Sequence, residues 1–252
     1  MVEQSFKIVI PARYASTRLP GKPLVMIKGR SLLQHVYERA MQCGAEEIVV
    51  ATDDERIAAA ARACGASVAM TLASHASGTD RIAEVARSRG WAPQTIVVNV
   101  QGDEPLLPPA IVKQVVQLLA AQRGSAMATL YSPITNLEEF RDPNVVKLVA
   151  DNAGRALYFS RAPIPWPRDN ASGGAPRAFP GALRHIGMYA YRAAALLQLA
   201  SLPASASELT ERLEQLRALA HGLEIRVAEA CERPGPDVNS PEDVARVAAL
   251  LT

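Results

Sequence analysis

Phe6-Lys7-Ile8-Val9-Ile10, followed without a break by Pro11-Ala12-Arg13-Tyr14-Ala15-Ser16-Thr17-Arg18-Leu19-Pro20-Gly21-Lys22, is where the architecture of this chain first declares itself. A short, β-branched, nearly continuous apolar run is what a parallel strand covered on both faces requires. The loop leaving it mixes small residues, whose main-chain N–H groups can approach an anion, with Arg13, Arg18 and Lys22, which can neutralise phosphate oxygens. In a doubly wound sheet, ligands sit outside the carboxyl ends of the strands, where this loop emerges. Its glycine spacing fits neither a Walker A loop nor a GxGxxG turn. Taken alone, such a string is as often an ordinary solvated loop.

The residues that follow repeat the pattern. A helix is expected over Ser31–Cys43, a strand over Glu47–Ala51, a helix over Asp54–Cys64, a weaker strand over Ser67–Thr71 and a helix from Asp80 to Arg89. Thr95–Val100 (TIVVNV) is the clearest buried strand, and Pro109–Gln122 reads as a helix with proline in its first turn and Gly124 beyond its end. This β-α-β-α succession implies right-handed crossovers and a mainly parallel, Rossmann-like α/β sheet with helices on both faces. Beyond it, strands are expected at Ala126–Tyr131, Val145–Ala150, Leu157–Trp166, His185–Arg192 and Glu224–Ala230, and helices at Ala193–Ser201, Ser207–Ala220 and Ser240–Leu251. The Pro-, Gly- and Ser-rich stretch from Pro167 to Pro180 reads as a long exposed loop. The economical organisation is one domain over residues 1–252 with an arm inserted at about 155–190.

Composition limits the function. With 252 residues the chain is one large domain or two small ones at roughly 150 residues each. Twenty-seven basic against 25 acidic residues give a net charge of +2, without the basic excess expected of a nucleic-acid-binding surface. A hydrophobic content of 49% argues against disorder, no apolar run is long enough to span a membrane, and Met1–Phe6 is too polar for a signal peptide. Cys43, Cys64 and Cys231 form no CxxC pair and read as small buried hydrophobes in a reducing compartment, so a cytoplasmic location is expected.

Two further strings carry chemistry. Asn99-Val100-Gln101-Gly102-Asp103-Glu104-Pro105 leaves the strongest strand, and a carboxylate there can hold a Mg²⁺ that bridges nucleotide phosphates, or can simply open a turn before Pro105. Ser74-His75-Ala76-Ser77-Gly78-Thr79-Asp80-Arg81 can hydrogen-bond a nucleotide or cap its own helix.

Together IPARYASTRLPGKPL, SGTDRIAEVA, VNVQGDEPLLP, YFSRAPIPWPR, ALRHIGMYAYR, LTERLEQLRAL and VNSPEDVARV resemble, in order along the whole chain, the bacterial 3-deoxy-manno-octulosonate (Kdo) cytidylyltransferases, or CMP-Kdo synthetases. The resemblance implies transfer of CMP from CTP to the 2-hydroxyl of Kdo with release of pyrophosphate, for lipopolysaccharide assembly, in a Mg²⁺-dependent homodimer formed through the arm. It places Arg13, Ser16 and Lys22 on the triphosphate, Ser77, Gly78, Thr79 and Arg81 along the nucleotide, and Gln101 near base and sugar. It places Arg161, His185, Tyr189, Glu214 and Gln215 around the sugar acid. Asp103 takes the position of the principal metal ligand. Where the family usually has a second Asp, this chain has Asn239, with Asp237 two residues earlier, so either could complete the metal site. An amide there keeps open a nucleotide-binding protein without catalysis. A glycosyltransferase would need an Asp-x-Asp motif in a suitable loop, and none is present.

Overall fold

The computed structural model describes residues 4–15, 19–168, 179 and 181–251. In chain order the elements are β1 (Phe6–Ala12), β2 (Met26–Ile27), β3 (Arg30–Ser31), α1 (Leu32–Met41), β4 (Glu47–Thr52), α2 (Glu55–Ala63), β5 (Ser67–Met70), α3 (Gly78–Ser88), β6 (Ile96–Asn99) and α4 (Pro109–Ala121). They continue with β7 (Met127–Pro133), α5 (Leu137–Arg141), β8 (Lys147–Ala150), β9 (Ala156–Ser160), β10 (Leu183–Arg192), α6 (Ala193–Ser201), α7 (Ala206–Glu211), α8 (Gln215–Ala220), β11 (Ile225–Glu229) and α9 (Pro241–Leu250). A 3-10 turn at Lys22–Leu24 precedes β2.

Nine strands form one sheet, ordered β11-β7-β10-β6-β1-β4-β5, with β8 joined to β10 and to β9. Strands β6, β1, β4 and β5 are mutually parallel, and β11 runs parallel to β7. Strand β10 is antiparallel to β6, β7 and β8. The period-two alternation of β1 explains why both faces are apolar. Ile8 and Ile10 pack into one layer with Leu32, Val36, Ile57, Ile111 and Val247, while Val9 packs into the other with Ile82, Val85, Leu196 and Leu216. The fold class expected from sequence, a mainly parallel Rossmann-like α/β sheet with helices on both faces, is the one observed.

Two expected elements differ. The strand expected at Leu157–Trp166 ends at Ser160, because Pro163 and Pro165 cannot donate ladder hydrogen bonds. The helix expected over Ser207–Ala220 is two helices, α7 and α8. Arg212 between them adopts φ 54°, ψ 46°, and the Leu213 N–H returns 3.4 Å to the Glu208 carbonyl, a left-handed helix stop built without glycine. Residues 169–178 and 180 of the expected loop lie outside the described residues.

Two close approaches bring the site loops together. A Cβ at Gly102 would lie 3.1 Å from the Pro11 carbonyl oxygen, so the loop after β6 can press on the loop after β1 only with glycine there. Gly21, at φ 69°, donates its N–H to the Tyr14 carbonyl at 3.1 Å and closes the base of the basic loop.

Candidate functional site

The carboxyl ends of β1 and β6 and the cap of α9 meet at one point. Lys22 Nζ donates to Asp103 Oδ2 at 2.6 Å and to Asn239 Oδ1 at 3.2 Å. The main chain secures the junction, since the Val238 N–H donates to the Asp103 carbonyl at 2.9 Å. Asn239 is placed in turn by Asp243, whose Oδ2 accepts from the Asn239 and Ser240 N–H groups, while the Ser240 hydroxyl accepts from the Asp243 N–H in a capping box. A cavity of about 450 Å³ lies over this junction, lined by Ala12, Arg13, Lys22, Gln101, Asp103 and Asn239 among others. Arg13 is exposed at its rim. Ser16 lies outside the described residues.

Asp103 and Asn239 thus both present hard oxygens to the Lys22 ammonium. Mg²⁺ is held by one or two protein oxygens plus substrate phosphates and water, and this donor set fits it. Among the described residues, no group of three or more His, Cys, Asp or Glu is placed to hold a metal ion. Asp237 stands behind this pair, its Oδ2 accepting from Asn239 Nδ2 at 3.3 Å. Burial, with the Asp103 charge adding, raises the Asp237 pKa. Glu104, one residue beyond Asp103, is pushed up to about 8 by burial, with the Asp103 and Asp237 charges adding. Each of these carboxyls raises the cost of ionising the next.

A second cavity, of about 250 Å³, opens beside the first and gathers Thr79, Asn99, His185, Tyr189, Glu214 and Gln215. Gln101 lines both cavities, and its Nε2 donates to the Gly187 carbonyl at 3.4 Å, where β10 is bulged between Ile186 and Tyr189. Glu214 is fixed from two sides, accepting from the Ser77 hydroxyl at 2.7 Å and the Thr79 hydroxyl at 2.6 Å. Ser77 also accepts from the Asp80 N–H at 3.1 Å, so it both caps α3 and holds Glu214. Gln215 is buried beside Glu214, and both line this cavity. The Tyr189 hydroxyl and Asn99 Oδ1 are buried and find no hydrogen-bond partner among the described residues, and Tyr189 and Asn99 face one another across β10 and β6. Orphaned groups of this kind are expensive unless a ligand satisfies them.

His185 packs edge-on to Phe159, with ring centroids 5.1 Å apart, and its Nε2 lies 3.1 Å from the Thr129 hydroxyl. Burial brings its pKa down to about 3, so the ring is neutral at physiological pH. Between about pH 6.5 and pH 3 the unfolded chain protonates this histidine and the folded chain does not, so its contribution to stability is lost on acidification. The imidazole NMR signals of His185 are therefore expected not to titrate between pH 5 and 8. Replacing it by Asn is expected to flatten the loss of denaturation midpoint between pH 7 and 5; a midpoint with the same pH dependence would contradict the assignment.

Two expected site residues point elsewhere. Arg161 donates through Nε to the Glu211 carbonyl at 2.7 Å and through Nη1 to the Pro143 carbonyl at 2.9 Å, and lines neither cavity. Arg81 is buried, paired with Asp53 at 3.3 Å and with the Thr71 hydroxyl. Gly78 faces Pro11, where an added Cβ would be 3.5 Å from the ring. Sequence reasoning left Asn99 without a role, although a polar residue at the carboxyl end of an otherwise apolar strand was a usable signal. It also passed over Arg184, which lines a wider cleft of about 750 Å³ with Gln101, Asp103 and Asp237 and is held by Glu139 at 3.0 Å.

Residues 7–225 match the model of the cytidylyltransferase family. The chain is 56% identical over 98% of its length to the 3-deoxy-manno-octulosonate cytidylyltransferase of Thioalkalivibrio sulfidiphilus (strain HL-EbGR7), covering 99% of that protein. It is 57% identical to the protein of the same name from Cellvibrio japonicus (strain Ueda107), covering 98% of each. Among solved structures, a CMP:2-keto-3-deoxy-manno-octonic acid synthetase complexed with CTP superposes with a TM-score of 0.87 at 44% identity, covering 98% of each chain. The 4-diphosphocytidyl-2C-methyl-D-erythritol synthase of Anaerococcus prevotii DSM 20548, at 12% identity and a TM-score of 0.60, shares the fold.

Proposed function

Because the chain belongs to the 3-deoxy-manno-octulosonate cytidylyltransferase family and is a nucleotidyltransferase, we propose that it forms CMP-Kdo from CTP and Kdo, releasing pyrophosphate. The observation that carries this reading is the meeting of two unlike cavities at Gln101, one lined by Arg13 and Lys22, the other by hydroxyl, amide and carboxylate groups suited to a polyol. A triphosphate in the first and a sugar acid in the second would place the 2-hydroxyl for in-line attack on the α-phosphorus. Such transfers depend on positioning and charge neutralisation more than on covalent catalysis.

In this reading Arg13 and Lys22 neutralise phosphate oxygens, with Ser16 and the loop backbone assisting. Asp103 and Asn239 would hold Mg²⁺, which supplies charge neutralisation at the phosphates when bound. Glu214, oriented by Ser77 and Thr79, accepts hydrogen bonds from sugar hydroxyls. The neutral His185 ring, the Tyr189 hydroxyl and Gln215 complete the polyol contacts. Gly78 acts indirectly, by letting the start of α3 approach Pro11, and Arg81 by its buried pairing with Asp53 and Thr71. Arg161 reaches the sugar carboxylate only if it leaves the carbonyls that hold it now. The direct test is pyrophosphate release from CTP and Mg²⁺ that depends on Kdo; turnover with a sialic acid and none with Kdo would overturn the assignment. Arg13→Ala, at an exposed rim, is expected to weaken CTP binding about tenfold by calorimetry, since one solvated charge-assisted contact is lost.

The same reading makes the protein a cytoplasmic homodimer acting in lipopolysaccharide synthesis, one domain with an arm, and no partner of nucleic acid or membrane. No helix among the described residues is long and apolar enough to cross a membrane. The arm exposes Leu157, Tyr158 and Trp166, apolar surface of the kind a partner subunit covers. Light scattering is expected to give twice the 27.0 kDa chain mass, and a monomer would contradict the dimer.

A further inference from the structure

Between Gln4 and Tyr37 the sequence carries Lys7, Arg13, Arg18, Lys22, Lys28 and Arg30 and no acidic residue. The nucleotide cavity takes only part of this charge. Arg13 and Lys22 line it, Lys7 pairs instead with Glu46 at 3.1 Å and Glu47 at 3.8 Å, and Arg18 lies outside the described residues. Lys28 and Arg30 enter a separate cavity of about 390 Å³, whose other walls are His35, Glu38, Arg39, Gln42, Pro105 and Leu251.

Three cations, Lys28, Arg30 and Arg39, therefore line this cavity, and one of them, Arg30, is paired with its carboxylate, Glu38. Arg30 pairs with Glu38 at 2.7 Å, and the Gln34 amide also donates to Glu38, at 2.9 Å. His35 is held through Nε2 by the Ile27 carbonyl at 2.8 Å. The Lys28 ammonium donates to the Leu251 carbonyl, leaving further donors for a ligand. Arg39 lies in the last turn of α1, where a cation is favoured by the helix end but an added anion needs a cation beside it to be held.

The backbone beneath Lys28 is the second observation. Lys28 at φ 46° and Gly29 at φ 80° form the two-residue loop between β2 and β3, a turn in which both central residues are left-handed. Asn or Asp suits the first of those positions, and a long side chain meets a steric penalty there. In this turn the strained position presents an ammonium to the cavity.

We propose that this basin is a second anion site, distinct from the nucleotide cavity, for a small phosphorylated molecule or polyphosphate carrying at least two negative charges. Its volume exceeds that of a bare orthophosphate, and among the described lining residues three cations outnumber the one carboxylate, Glu38, which favours a multivalent anion. The site stands on its own cavity and charges, so failure of the cytidylyl-transfer reading would leave it standing.

The test uses the full chain and inorganic pyrophosphate as probe, in calorimetric titrations of wild type and of a Lys28→Asn/Arg39→Gln variant. Asn tolerates the left-handed turn and Gln keeps the helix, so the variant is expected to melt within a few degrees of wild type and to bind CTP unchanged. Wild type is expected to show two pyrophosphate sites, of which CTP abolishes one; the variant retains only the CTP-sensitive site, its other affinity falling at least tenfold. A single, CTP-sensitive site in wild type, or a CTP-insensitive site of equal affinity in the variant, would overturn the proposal. Should the double variant unfold, Arg39→Gln alone is expected to weaken the CTP-insensitive site several-fold, and no change would count equally against it.

Discussion

Asp103→Asn is expected to lower Kdo-dependent pyrophosphate release about a thousandfold while leaving the melting temperature within a few degrees. A thousandfold loss corresponds to about 4 kcal/mol of transition-state stabilisation, the scale on which preorganised electrostatic groups act in phosphoryl transfer. The substitution is isosteric and removes one negative charge from a junction where Asp103 Oδ2 now meets the Lys22 ammonium at 2.6 Å. At the proposed Mg²⁺ site it would leave only two amide oxygens, those of positions 103 and 239, for a cation that favours carboxylate. The fold is protected because the tie between the two segments is main-chain, from the Val238 N–H to the Asp103 carbonyl. Stopped-time assays of pyrophosphate at saturating CTP, with circular dichroism melting in parallel, check both halves. Wild-type turnover would end the case for Asp103 as a metal ligand.

Lys22→Ala should show the second largest effect, and chiefly in binding. Its side chain is 19% exposed, and its ammonium donates to both Asp103 and Asn239. A charge-assisted contact to phosphate from so desolvated a group is worth about 2–3 kcal/mol, or roughly a hundredfold in CTP affinity. Calorimetry with CTP and Mg²⁺ reads it directly, and affinity within threefold of wild type would remove Lys22 from the phosphate site. The apparent KM for Kdo is expected to change far less, because Lys22 lines only the first of the two cavities. Lys22→Arg is not expected to restore full affinity, since a planar fork cannot replace a compact ammonium between two oxygens.

Local patterns made much of this legible in advance. The apolar runs of β1, β4 and β6, and the Ser240-Pro241 start of α9, follow from side-chain period and capping chemistry, which need only neighbouring residues. What could not be read locally was the placement of β10 between β6 and β7 with reversed direction, a matter of long-range pairing. The break between α7 and α8 was invisible for a different reason. Arg212 is an ordinary helix residue by propensity, and its left-handed turn lies two residues before Glu214, which is held by Ser77 and Thr79, far away in sequence. The site shows the same division. Lys22, Asp103 and Asn239 were singled out by sequence and the fold brings them to one junction, whereas the outward hold on Arg161 depends on the Pro143 and Glu211 carbonyls, which no motif records.

The hydrogen bond from Lys22 to Asn239 spans 217 positions of chain, and Val238 reaches back to Asp103 across more than half the sequence. Contacts of such separation close the largest loops and are among the slowest to assemble. During refolding the helices and the β1–β4 pairing can therefore recover well before the chemistry does. A chain in this interval would carry a near-native circular dichroism spectrum and still fail to hold a nucleotide. Regain of secondary structure is thus a poor clock for regain of function in this molecule, and the lag between the two measures how late its ends find its middle.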